Sequence, residues 1–346
     1  MGFESTSSGV AASIFLGLYT SYLLLAINVV RHEGFKFIYR ILLMFGLFRV
    51  AGQLCGVAFS VLGVEHWQWL IAYLVFTAEG YFTLIVAAFY FIVQCQVKQT
   101  GSSWLSSHKD EVDTKSGSDE RGSDENASDE NANAERVSYE KANKEKGGYR
   151  KKGDEEASGG KWKKHKSSVS WSTVFYMFLI PANAFIVGGG SLLTGANADE
   201  LNKETGKVST SKALRTTGQT IFLIQTVIVV LLSVYVYVKE KIRGRTMHLL
   251  FAALPFLLVR GIFGIMSIYV DKMNYYKLSN YTAEGLTSDF IAYEYCLATT
   301  MEFIAACLLI SNYYLDRDAK VVDREKIEEY EKESIFKKIL TILVLS

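Results

Sequence analysis

Seven largely apolar stretches dominate the chain, at 9–30, 41–63, 68–92, 171–195, 216–238, 247–270 and 289–312. A hydrocarbon core of roughly 30 Å takes about 20 helical residues to cross, and lipid offers an open backbone group no partner, so stretches like these cross a membrane only as helices. The pattern predicts an all-α, seven-transmembrane-helix bundle and excludes a simple soluble domain. MGFESTSS, ahead of the first stretch, lacks a basic start, and no small-residue cleavage signature follows it. The first stretch therefore reads as a retained helix, not a removable leader.

Lysine and arginine placement sets the expected orientation. With the N-terminus outside, the cytoplasmic side receives Arg31, Lys36, Arg40, the link KEKIRGR and the C-terminal tail. The outer connections carry four basic residues in 196–215 and two in 271–288. Asn280-Tyr281-Thr282 then falls in an outer loop and is a glycosylation candidate at Asn280. Cys55, Cys296 and Cys307 lie within spans and Cys95 at an inner end, so no structural disulfide is expected. Cys95 reads as a buried thiol in preference to a palmitoylation site.

Charge is distributed very unevenly. The 96–168 insert carries 15 basic and 15 acidic side chains, and its repeats GSDER, GSDEN, ASDEN and ANAER hold almost nothing apolar. Such a composition cannot bury enough surface to offset chain entropy, so a disordered cytoplasmic loop is expected. Ser118, Ser123 and Ser128 each precede Asp-Glu and are phosphorylation candidates. The basic stretch 150–166 suits contact with anionic lipid, or is simply a solvated linker. The chain thus divides into 1–95 (spans one to three), 96–168 (insert), 169–313 (spans four to seven) and 314–346, a tail ending in the short apolar SIFKKILTILVLS.

Within the spans stand five ionisable residues, Arg49, Glu79, Arg260, Glu294 and Glu302. Each costs about 2.5–3.5 kcal/mol to insert and so calls for a partner or a wet cavity. Counted from the outer span ends, Arg49 lies 14 residues deep and Glu79 11, while Arg260 lies 10 deep and Glu302 13. At 1.5 Å per residue, each arginine is within about 4.5 Å of a glutamate's depth on the next helix. Two pairs are expected, Arg49 with Glu79 and Arg260 with Glu302, and Glu294 is expected nearer the hydrated outer face. The similar placement of the pairs suggests two parallel three-helix repeats joined by span four. Arg49, Gly52, Gln53, Gly56 and Ser60 share one helical stripe, with Gly52 and Gly56 permitting close packing. Pro181, Asn183 and Gly188-Gly189-Gly190 in span four suggest local unwinding beside a cavity. These residues, Arg49, Gln53, Glu79, Arg260, Glu294 and Glu302, form the expected intramembrane polar site, whether it handles a substrate or only locks helices together.

Other chemistry finds no motif. His32, His66, His108, His165 and His248 lie in loops or at span ends without HExxH or cysteine spacing, and no GxxxxGK[ST] cradle occurs. An enzyme is not expected, nor a catalytic residue, metal, cofactor or nucleic-acid partner; the bilayer is the expected partner, plasma or internal. Span seven lacks a retinal lysine, and FIVQCQVK ends span three without the acidic-arginine-aromatic triplet of G-protein-coupled receptors.

The runs FRVAGQ in span two, ALPFLLVRGIF in span six and TTMEFIAA in span seven resemble those of fungal seven-span membrane proteins of unknown function. More loosely, they are similar to the fungal RTA-like family. That resemblance implies lipid translocation and resistance to toxic compounds. The expected role is transporter-like or lipid-handling, with a receptor or sensor signalling through the insert and tail as the alternative, and a purely structural protein as another.

Overall fold

The computed structural model describes residues 6–33, 37–100, 103–105, 171–193, 206–282 and 285–316. The expectations for Ser118, Ser123 and Ser128, for 150–166 and for the tail segment 334–346 lie outside these residues. Seven helices are long and apolar enough to cross a membrane. They are α1 (Thr6–Glu33), α2 (Phe37–Leu62), α3 (Gln68–Thr100), α4 (Trp171–Ser191), α5 (Gly206–Lys239) and α6 (Arg245–Tyr269). The last, α7, runs through Ser288–Glu294, a π turn at Tyr295–Thr299 and Thr300–Asp316. The chain is a multi-pass integral membrane protein, as its apolar stretches predict.

Outward positions agree with a lipid surround. Leu24, Met177, Leu231 and Val238 are all at least 60% exposed, which water would penalise and hydrocarbon does not. Packing follows chain order: α1, α2 and α3 succeed one another, and α4 lies chiefly on α5, then α6 and α7. α3 also meets α4, α5, α6 and α7 and is the most buried span, so it forms the central post. The glycines of α2 do what their spacing predicts. A Cβ on Gly52 would meet Phe76 of α3 at 3.3 Å, and one on Gly56 would meet Tyr73 at 3.5 Å and Ala12 of α1 at 3.6 Å.

Two local expectations need correction. α4 remains helical through Pro181 and Gly188–Gly190, without the expected unwinding. Its glycines serve close approach instead: a Cβ on Gly189 would come within 2.8 Å of Arg215 Cγ, and one on Gly190 within 2.9 Å of Tyr276 Oη. α5 begins at Gly206, ten residues before its apolar stretch, because polar residues beyond hydrocarbon can continue a helix that hydropathy does not see. The connection from α6 to α7 folds into short 3₁₀ turns and a two-stranded hairpin pairing Tyr281–Thr282 with Gly285–Leu286.

Asn280 lies in that connection and is 6% exposed, with Nδ2 donating to the carbonyls of Asp271 (2.6 Å) and Asn274 (2.8 Å). The acceptor nitrogen of the predicted sequon is committed to the loop's own fold, and a glycan there would have to displace it. Glycosidase treatment of the cellular protein is expected to leave its gel mobility unchanged.

At the opposite end of the bundle, Gln96 Nε2 donates to both carboxylate oxygens of Glu240 (2.9 and 2.8 Å), and Trp104 Nε1 donates to Oε1 (2.7 Å). Ser103 Oγ donates to Gln96 Oε1 at 2.5 Å, completing a clasp that holds the chain after α3 against the end of α5. Hydrogen bonds to a charged group are worth about 1.5–3 kcal/mol. Glu240→Ala is expected to cost about that much in thermal unfolding and to speed proteolysis near Trp104.

Candidate functional site

Glu302 of α7 holds both deep arginines. Its Oε1 accepts from Arg260 Nε at 2.5 Å, and its Oε2 is ion-paired with Arg49 Nη2. Arg49 and Glu302 are fully buried and Arg260 is 5% exposed. The predicted Arg260–Glu302 pair is present. The predicted Arg49–Glu79 pair is not, because matching depth leaves the direction around the helix open. Arg49 enters against the face of α3 that carries Thr77 and Gly80: Nη1 donates to Thr77 Oγ1 at 3.2 Å, and a Cβ on Gly80 would stand 3.1 Å from Nε. Glu79 is two residues past Thr77, about 200° around the helix, and points elsewhere. It is half-buried and accepts a hydrogen bond from Asn183 Nδ2 of α4.

Aromatic rings enclose this triad. Arg49 Cζ lies 5.5 Å from the Tyr19 ring centroid, and Arg260 Cζ lies 4.9 Å from that of Tyr81. Tyr19 Oη donates to the Thr299 carbonyl at 2.8 Å, and Tyr81 Oη shares a 2.8 Å hydrogen bond with Thr226 Oγ1. The rings offer their negative faces to cations while their hydroxyls stay satisfied.

Glu294, expected near the hydrated face, is instead 4% exposed and accepts from Tyr73 Oη at 3.1 Å. The π turn relates it to Glu302. At about 100° per residue, an uninterrupted α-helix would set the two carboxylates about 80° apart. The extra residue of a π turn absorbs one step and brings them to within about 20°. Gln53, also fully buried, accepts from Tyr295 Oη within the same turn at 3.2 Å.

Beside the triad lies a cavity of about 80 Å³, walled by α3, α4, α5, α6, the connection after α6 and α7. Arg260, Glu294, Arg215, Gln219 and Tyr276 contribute polar groups to its lining, whereas Arg49 and Glu302 stand behind it. By hydropathy Arg215 is an ordinary outer-loop charge, one residue before the apolar stretch at 216–238. Here it is 9% exposed, with Cζ 4.2 Å from the Tyr276 ring centroid and Cγ close beneath Gly189. Burial raises the pKa of the Tyr276 hydroxyl while Arg215 pulls it down, and the net rise keeps it a neutral O–H group at neutral pH. A sequence signal for Arg215 did exist: Ser211, Arg215 and Gly218 recur at i, i+4 and i+7 and form the stripe that faces α4. No protein-family model, characterised protein or solved structure matches the chain.

Proposed function

We propose that the protein moves a polar or amphipathic solute, lipids included, across the bilayer through the cavity beside Arg260. The observation that carries this reading is the double position of Arg260, whose Nε is bound to Glu302 while its side chain also lines the cavity. A helix lock alone needs no cavity beside it. The three runs that resemble fungal seven-span proteins of unknown function, and more loosely the RTA-like family, supply Arg49, Arg260 and Glu302, the members of the triad. With the N-terminus outside, the cavity lies in the outer half of the membrane.

Arg260→Gln tests this cleanly, because it removes the cavity charge that Glu302 holds and leaves Arg49 with Glu302 as a balanced pair. Purified protein in liposomes should speed transbilayer movement of a fluorescent phospholipid analogue over empty liposomes, and R260Q should lose most of that gain while keeping its helical circular dichroism. Wild-type liposomes no faster than empty ones would refute the reading. The structural reading is favoured by the complete burial of Arg49 and Glu302. It expects R260Q to unfold the protein.

A further inference from the structure

We infer that the cavity is a subsite for an oxyanion, a phosphate or carboxylate group, gripped by Arg215 and Arg260. This deepens the transport reading and rests on the same cavity.

Charge balance makes the first argument. The cavity lining and the triad behind it bring together Arg49, Arg215 and Arg260 against Glu294 and Glu302. Even with both carboxylates ionised, one positive charge is left over. It falls on Arg215, which has no ion pair and no hydrogen bond among the described residues and only the ring of Tyr276 against it. A guanidinium on a residue nine-tenths buried, with no counter-ion among the described residues, is costly, and an anion in the cavity offsets that cost.

Geometry makes the second. Arg260 uses Nε for Glu302, and among the described residues its two Nη groups carry no hydrogen bond, so they remain available on the cavity side. Arg215 is held over the Tyr276 ring and close beneath Gly189, so its fork is preorganised. Two guanidinium forks lining one cavity suit the several acceptor oxygens of a phosphate or carboxylate. Size makes the third. A buried water needs about 10–15 Å³, so about 80 Å³ takes a group of headgroup size and not a whole lipid or drug-sized solute. Acyl chains would have to remain outside, in the bilayer.

The test uses the full-length protein in phosphatidylcholine nanodiscs, which carry no net charge. Inorganic phosphate is titrated in one arm, and phosphatidic acid is incorporated in the other, with thermal unfolding as the readout. Stabilisation by phosphate points to a free anion, and stabilisation by phosphatidic acid alone points to a lipid headgroup; either supports the subsite. Arg215→Gln should weaken the effective probe by about tenfold or more. Lys212→Gln, which alters an exposed lysine three residues away, should leave it unchanged. Should R215Q fail to fold, Arg215→Lys keeps the charge without the fork and should bind measurably more weakly. The inference fails if neither probe stabilises the wild type, or if the Arg215 variants respond as the wild type does. Protein that moves the lipid analogue but binds neither probe overturns the anion subsite alone. Protein that binds a probe through Arg215 but moves no analogue overturns the transport reading alone.

Discussion

Glu302→Gln is expected to be the most damaging single substitution among the span carboxylates. Both Arg49 and Arg260 depend on this residue, and all three side chains are at most 6% exposed. Removing one partner of a buried pair typically costs about 3–5 kcal/mol, mostly the penalty of the charge left behind. Here one change strands two charges, so the loss should lie at the upper end of that range or beyond it. Glu79→Gln provides the contrast. Glu79 is half-buried and bonded to Asn183, an amide partner that a glutamine can still satisfy, so a loss of about 1 kcal/mol is expected. Thermal unfolding in neutral lipid should therefore rank E302Q far below E79Q. Adding Arg49→Met to E302Q removes one stranded charge, and the double variant should be more stable than E302Q alone. Equal effects of E302Q and E79Q would contradict the shared carboxylate.

That contrast marks where the sequence stopped being legible. Spans follow from length and hydropathy, and all seven appear, because lipid leaves the backbone almost no alternative to helix. Depth was legible too, since rise per residue is nearly constant, and it brought Arg260 to Glu302 correctly. Direction around the helix was not. Arg49 and Glu79 match in depth, but Thr77 and Gly80 own the face of α3 that Arg49 meets, and nothing in the spacing says which face turns toward α2. The π turn is likewise invisible in the residues Tyr295–Thr299, although it determines that Glu294 and Glu302 look the same way. Arg215 was misplaced for a different reason. An apolar window ends where polar residues begin, so it assigned Ser211 and Arg215 to a loop when the helix continues through both.

Gly218→Val should come second in severity, through packing and not through charge. A Cβ on Gly218 would stand 2.5 Å from the Ala182 carbonyl oxygen, 2.6 Å from Ile186 Cγ1 and 3.2 Å from the Ile186 nitrogen. Two of those three atoms are backbone, so no rotamer change can relieve the overlap, and α4 must move away from α5. Overpacking a tight contact costs about 1–3 kcal/mol for an added methylene or so, and valine adds a β-branched side chain to it. The same move opens the cavity, because Ile186 and Val187 of α4 and Arg215 and Gln219 of α5 all line it. G218V should therefore lose phosphate or phosphatidic acid binding together with stability, although it touches no charged group. Gly188→Ala is the matched control on α4, since a Cβ there meets nothing within 4 Å. It should leave binding at the wild-type value and unfold at or slightly above the wild-type temperature, through helix propensity. If G218V instead unfolds at the wild-type temperature, α4 and α5 do not cross at Gly218, and the wall that presents Arg215 to the cavity is built differently.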